Sequence, residues 1–370
     1  MKYHKILSGV FCGFLGLVLM ASTILPDKSF SELENRNLSK VPEFSVESVM
    51  DGKFMADAED YTADHIVGRD FWVALKAWCE RLSGKQENNG AYFTSDGALI
   101  NRVEEPDVDK LLESVGHVNK LVEKVEVPVW FGIIPTAAAV RKDALPAGAP
   151  TADELAIIEE LYAASQAEEL DLAGALLARK DQYIYYNTDH HWTSLGAFYG
   201  ANAIFAGLGL EELELGDYTP VTVSEDFNGT TFSSSGVRWL SPDLIQTFVP
   251  EEGKKVTAYF TGKPEEGELY VEEKLEVKDK YAFFLGGNQP LCVIENEGVE
   301  GEKVLVVRDS YSDSLAPFLS ERFEEVHLFD LRYNLTPISQ YVAENGIDRV
   351  IVLYSFSNFV QGQNIFALGR

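Results

Sequence analysis

Near the C-terminus three short apolar runs, KVLVVRD (303–309), EEVHLFDL (324–331) and DRVIVLYSF (348–356), are separated by stretches that read as helices, one through Ser312–Arg322 and one from about Pro337 to Asn345. Runs this rich in Val, Leu and Ile suit strands covered on both faces. Strands alternating with helices predict an α/β fold built on a mostly parallel sheet. VEVPVWFGIIP (125–135) is another such run, and TADELAIIEELYAASQAEEL opens a helix with a Thr151/Glu154 capping box. QYIYYN (182–187) reads as a short strand, and a helix from about Ser194 to Gly207 starts at a Thr193 or Ser194 cap.

Residues 216–300 have another texture. KKVTAYFTG, GELYVEEKL and KYAFFLGGNQPLCVIEN are short, β-rich and punctuated by Gly and Pro, which predicts hairpins inserted into the α/β domain. The acidic stretch within them reads as a solvated surface. At the other end, PDKSFSELENRNLSKVPEF is polar and turn-rich, and residues 50–84 read as helical through Phe71, Trp72, Leu75, Trp78 and Leu82. The expected organisation is residues 1–26 as a membrane anchor or signal peptide, 27–89 as a stalk and wrapping helix, and 90–370 as the α/β domain with its insertion.

The first segment follows from ILSGVFCGFLGLVLMASTILP, which runs from Ile6 to Pro26 without a charge behind Lys2 and Lys5. At about 1.5 Å per residue it can span a bilayer with the N-terminus inside. LVLMAS is a poor cleavage site, so a retained single-pass anchor is favoured over secretion. Either way residues 27–370 are expected outside the cytoplasmic membrane. A balance of 59 acidic to 31 basic residues, a net charge of −28, argues against a nucleic-acid partner. Of three cysteines, Cys12 falls in the apolar segment, leaving Cys79 and Cys292 as either a disulfide or two buried thiols.

The chemistry concentrates in TDHHWTSLGAF (188–198), in a chain with six histidines. In an extended segment Asp189 and His191 share a face while His190 points away. An Asp on one ring nitrogen fixes the imidazole tautomer and leaves the other nitrogen as a general base. A metal held by Asp189, His190 and His191 is disfavoured because adjacent side chains diverge and no other His or Cys cluster completes a shell. The matching nucleophile is Ser310 in VLVVRDSYSDSLAPFL (304–319), where a strand meets a helix whose free N–H groups suit an oxyanion. Ser312 and Ser314 are weaker choices.

These two blocks resemble a known family. TDHHWT looks like the signature of the DHHW family, which is similar to the alginate O-acetyltransferase proteins with a permuted SGNH-hydrolase-like domain. FSELENRNLSKVPEF (30–44), FNGTTFSSSG (227–236), LGGNQP (285–290) and DLRYN (330–334) carry the resemblance along the chain. It implies a flavodoxin-like sheet, Ser310 as nucleophile, His191 as base and Asp189 as its orienter. It also implies O-acetyl transfer to cell-surface or secreted polysaccharide, with a membrane-bound O-acyltransferase supplying acyl groups and no cofactor.

Arg308 stands where the SGNH pattern has glycine, so the oxyanion donors stay open among the Ser310 N–H, Gly287, Asn288, Arg308 and Arg332. Trp192, Tyr311 and Tyr333 are candidates for substrate contact, with core packing as the rival reading for the first two. An esterase with the same triad, and a silent glycan-binding scaffold, remain as alternatives.

Overall fold

The computed structural model describes residues 2–260 and 262–370. The chain divides into two units, one comprising the chain up to Asn89 with Phe232–Trp239, the other Gly90–Thr231 with Leu240–Arg370.

In the first unit the helix Lys2–Ile24 is long and apolar enough to cross a membrane, and it is equally compatible with a signal sequence. The single helix expected over 50–84 is three, Val46–Met50, Lys53–His65 and Arg69–Leu82. The breaks fall at Gly52 and Gly68, whose φ values of 81° and 69° lie in the left-handed region where a helix cannot continue. Asp64 is buried and accepts hydrogen bonds from the Ser39 N–H at 2.8 Å and hydroxyl at 2.9 Å, besides its ion pair with Arg36. Phe232–Trp239 belongs to this unit through Asn88, which donates to the Ser235 carbonyl, and through the Trp239 ring, 4.3 Å from that of Trp78.

The second unit is built on an eight-stranded sheet. In chain order its strands are β1 (Val129–Ile134), β2 (Glu168–Glu169), β3 (Lys254–Ala258), β4 (Glu265–Gly267), β5 (Leu291–Asn296), β6 (Lys303–Arg308), β7 (Glu325–Phe329) and β8 (Arg349–Ser355). They lie side by side as β4-β3-β5-β7-β6-β8-β1-β2. The run β7-β6-β8-β1-β2 is parallel, and β5, β3 and β4 extend it antiparallel. This is the α/β arrangement on a mostly parallel sheet expected from the sequence.

Alternation along β6 explains the two-sided burial. Val304 and Val306 join one core with Ile351, Leu353 and residues of the helices Ser194–Gly207 and Tyr311–Leu319. Leu305 and Val307 join the other with Val350, Val352 and the apolar stripe Leu111, Val115, Val118 and Leu121 of helix Val108–Lys124. From β6 the chain goes to β7 on one side and then to β8 on the other. The carboxyl end of β6 is therefore a switch point, where open α/β sheets leave a crevice.

Three local expectations change. QYIYYN contributes only an isolated bridge, Tyr185 to Trp192; the bonds Tyr186 N–H to His191 O (3.2 Å) and Thr193 N–H to Ile184 O (3.0 Å) fold 184–193 into a tight loop. Most of the expected hairpin insertion is continuous with the sheet, because Cys292 and Ile294 of β5 feed one core and Leu291 and Val293 the other. Val221–Phe227 and Asp243–Thr247 pair apart from it, as does the isolated bridge between Tyr270 and Phe284. The Thr151/Glu154 box does not form, since Asp153 occupies the N-cap of Glu154–Ala164. Glu154 instead reaches Thr136, accepting from its N–H at 3.0 Å and its hydroxyl at 2.5 Å.

Candidate active site

Ser310 sits directly between β6 and the helix Tyr311–Leu319. The turn is held by Asp309, buried, whose carboxylate accepts from the Tyr311 N–H (3.0 Å), the Ser355 N–H (2.8 Å) and hydroxyl (2.7 Å), and Asn358 Nδ2 (2.8 Å). Those bonds fasten the ends of β6 and β8 together below the serine. The Ser310 N–H makes no hydrogen bond among the described residues and stands at the positive end of the helix.

The DHHW segment approaches from the loop after Tyr186. Its entry is fixed by buried Asp243, which accepts from the Asn187 N–H (2.9 Å), the Thr188 N–H (2.7 Å) and the Thr188 hydroxyl (2.6 Å). Its exit is the N-cap Thr193, whose hydroxyl accepts from the Gly196 N–H. Between these anchors His191 Nδ1 lies 2.6 Å from Asp189 Oδ1, and His191 Nε2 lies 2.8 Å from Ser310 Oγ. The three residues named from the sequence are thus joined in one hydrogen-bonded line.

Asp189 is 3 % exposed, and its Oδ1 also accepts from the His191 N–H (2.9 Å), while Oδ2 accepts from the Thr230 N–H (2.7 Å) and hydroxyl (2.8 Å). Burial opposes its charge, but the two imidazoles and these donors hold the carboxyl well below the usual range. It remains an ionised acceptor. Tyr281 lies flat on His191, centroids 3.8 Å apart and planes 9° apart, and its hydroxyl bonds the Ser310 carbonyl (3.1 Å) and Ser314 Oγ (3.0 Å). Thr230 and Tyr281 adjoin this line without being singled out by the sequence, although Thr230 lies inside the FNGTTFSSSG block.

His190 does not point away. Its ring lies 3.9 Å from that of His191 at 36°, because 187–191 form a run of bends in which the two-residue alternation of a strand does not apply. Asp189, His190 and His191 bring potential ligand atoms within 4.8 Å of one another. A cation there would compete with the bonds from His191 to Asp189 and Ser310 and from His190 Nδ1 to Thr230.

The remaining candidates separate. Trp192 is fully buried and donates from Nε1 to the Tyr311 carbonyl (3.0 Å), so its ring is not open to a sugar. Tyr311, 2 % exposed, donates its hydroxyl to the His190 carbonyl and likewise braces the site from within. Arg308 is fully buried in an ion pair with Asp313 at 2.8 Å, supporting the junction rather than facing solvent.

Gly287, Asn288, Arg332 and Tyr333 fall in a second group. Gly287 has φ 97°, the Arg332 guanidinium holds Asn288 Oδ1 at 2.9 Å and grips buried Asp330, and its charge lies over the ring of exposed Tyr333. Burial works against that charge, but Asp330, and more weakly Tyr333 and Asp309, raise the Arg332 pKa. No hydrogen bond links this group to Ser310, His191 or Asp189 among the described residues. Cys12, Cys79 and Cys292 are free thiols, so Cys79 and Cys292 form no disulfide, and of these two Cys292 is buried whereas Cys79 is exposed.

The sequence model of the DHHW protein family matches residues 113–329, a span that holds both the Asp–His loop and the strand–serine–helix junction. The chain belongs to the DHHW family. A crystal structure of a DHHW family protein from Eubacterium siraeum is 27 % identical, with 76 % of this chain and 95 % of that one covered and a TM-score of 0.67. Bacillus cereus PatB1, solved with a sulfonyl adduct, is 20 % identical, with 75 % and 96 % covered and a TM-score of 0.62. Its likeness to the present DHHW chain is one of fold. No curated protein matches.

Proposed function

We propose that this DHHW protein is a Ser-His-Asp acyl-transfer enzyme acting outside the cytoplasmic membrane on polysaccharide hydroxyls. The observation that carries the reading is the line Ser310 Oγ–His191 Nε2–His191 Nδ1–Asp189 Oδ1, with steps of 2.8 and 2.6 Å, at a strand-to-helix junction. Ser310 Oγ attacks the acyl carbonyl carbon as its proton passes to His191 Nε2, and the leaving group departs with that proton. A sugar hydroxyl then attacks the acyl-Ser310 carbonyl. Its proton goes to His191 and from there to Ser310 Oγ as the ester bond to serine breaks. The Ser310 N–H, unbonded among the described residues at the helix start, is the donor offered to the oxyanion.

Acetyl as the acyl group, and a membrane-bound O-acyltransferase as its supplier, rest on the family resemblance and on an apolar N-terminal helix that can keep the domain at the outer membrane face. The full chain in detergent, exposed to an activated acetyl ester, is expected to gain one acetyl mass on the peptide carrying Ser310. Ser310→Ala and His191→Ala should abolish it, and Asp189→Asn should slow ester turnover by about 10³–10⁴-fold by presenting the wrong tautomer. A sulfonyl fluoride, chosen because PatB1 is described with a sulfonyl adduct, should label the same serine. A folded protein that takes up neither group would overturn the assignment in favour of a glycan-binding scaffold.

A further inference from the structure

His190 has a hydrogen-bond arrangement that fixes its chemistry. Its Nδ1 is 2.6 Å from Thr230 Oγ1, and the Thr230 hydroxyl is 2.8 Å from Asp189 Oδ2. An ionised carboxylate only accepts, so the single Thr230 proton is committed to Asp189. The hydrogen between His190 and Thr230 must then belong to Nδ1, which makes Nε2 an unprotonated acceptor. Burial and the neighbouring imidazole of His191 lower the His190 pKa and keep the ring in that neutral form. The same reasoning gives His191 the same tautomer, with Nδ1–H on Asp189 and Nε2 accepting from Ser310.

The two rings lie side by side with centroids 3.9 Å apart and a 36° tilt, and both turn Nδ1 toward one carboxylate, 3.7 and 2.6 Å from Asp189 Oδ1. The shape of imidazole then leaves both Nε2 atoms on the side away from Asp189. That of His191 meets Ser310. That of His190 has no hydrogen-bond partner among the described residues, and the side chain is 34 % exposed. Tyr311 holds the backbone of His190 in place by donating to its carbonyl.

We infer that His190 Nε2 is a positioning group for the acyl acceptor, and that the acceptor is a vicinal diol of a sugar ring. In this arrangement, which rests on the Ser-His-Asp reading, the reacting hydroxyl gives its proton to His191 Nε2 while the adjacent hydroxyl donates a hydrogen bond to His190 Nε2. A hydroxyl flanked only by ethers or carbons fills one of the two points and is held less well. His190 takes no proton in the transfer, and the acyl group moves from Ser310 Oγ to the reacting oxygen as before.

The test uses the full chain in detergent with p-nitrophenyl acetate as donor and two acceptors, cis-1,2-cyclohexanediol and its mono-methyl ether, which keeps one hydroxyl and the shape but loses the second donor. The reading is the ratio of acetyl-transfer rates to the two. The wild type is expected to prefer the diol by about tenfold, the worth of one hydrogen bond. His190→Phe keeps an aromatic ring but no acceptor, and should bring the ratio down to the statistical value of two hydroxyls against one. His190→Gln, whose carbonyl accepts, should restore part of it. Because the reading is a ratio, a general loss of rate from a disturbed ring contact leaves it unmoved. A wild type whose diol preference does not exceed that statistical value, or a His190→Phe variant that exceeds it as before, overturns the assignment of His190 alone while acetyl-Ser310 still forms. A wild type that never forms acetyl-Ser310 overturns both readings together.

Discussion

Gly229 lies against Asp189 so closely that a Cβ placed there overlaps the Asp189 Cβ and carboxylate, well inside van der Waals contact. The same stretch aims the Thr230 N–H and hydroxyl at Asp189 Oδ2. Gly229→Ala must therefore push Asp189 off its line to His191. Ester turnover is expected to fall on the order of 10²-fold, the effect of a displacement of about 1 Å in a positioned group, with a stability loss of about 1–3 kcal/mol from overpacking. Steady-state ester kinetics beside thermal unfolding check this. Turnover at the wild-type level would mean that Asp189 does not need its present position.

Tyr281 contributes two separable things to the base, a ring face on His191 and a hydroxyl on the Ser310 carbonyl and Ser314. Tyr281→Phe keeps the first and loses the second, so it should lose about 1 kcal/mol of stability and only a few-fold in turnover. Tyr281→Leu loses both and should be slower than the Phe variant by a further several-fold. Equal rates for the two variants would show that the stack does not orient His191.

The parts of this site that were legible in the sequence are those set by local pattern. The run KVLVV announces a strand covered on both faces, so the Asp-Ser after it falls at the end of β6, and Thr193 caps its helix as Thr typically does. Thr230 lies 41 residues from Asp189 and Tyr281 29 residues from Ser310, and no local periodicity encodes such meetings. Trp192 misleads for the opposite reason. An aromatic beside a catalytic motif reads equally well as a ligand platform or as core, and only its complete burial decides for core. The pairing of Ser310 with His191 is legible from the strand-to-helix junction and the Asp189–His191 spacing, and the family resemblance implies the same residues.

Glu154 should give the protein a distinctive stability profile. Buried against Thr136, its carboxyl is pushed up to about 7 by burial, against the pull of the two Thr136 donors. A folded-state pKa above the unfolded value near 4.3 means the folded chain binds more protons between those two values. Its contribution to stability is thus fully present below about pH 4, declines as pH rises, and is gone above about pH 7. Glu154→Gln keeps an acceptor for the Thr136 N–H and removes the titration. Relative to wild type, the variant should gain up to roughly 3–4 kcal/mol between pH 4 and pH 8. Denaturant unfolding of both across that range is the measurement, and parallel curves would show that Glu154 is not the titrating group.

Arg308 and Asp313 make a pair whose worth depends on both being present. Each is almost wholly buried, they meet at 2.8 Å, and the guanidinium also touches the Asp309 carbonyl at 3.3 Å, directly beneath the Ser310 turn. Removing one charge strands the other where water cannot reach it. Arg308→Met should therefore destabilise the fold by about 3–5 kcal/mol, whereas Arg308→Met with Asp313→Leu should recover much of that loss, because two apolar side chains fill the space without a desolvated charge. The two single variants and the double variant form a cycle whose coupling energy is read from denaturant midpoints. A single variant within about 1 kcal/mol of wild type would show that the guanidinium is not the counter-charge of Asp313. A strong coupling would mean that the arginine anchors the helix carrying Asp313 to the end of β6, and so fixes the angle at which Ser310 meets His191.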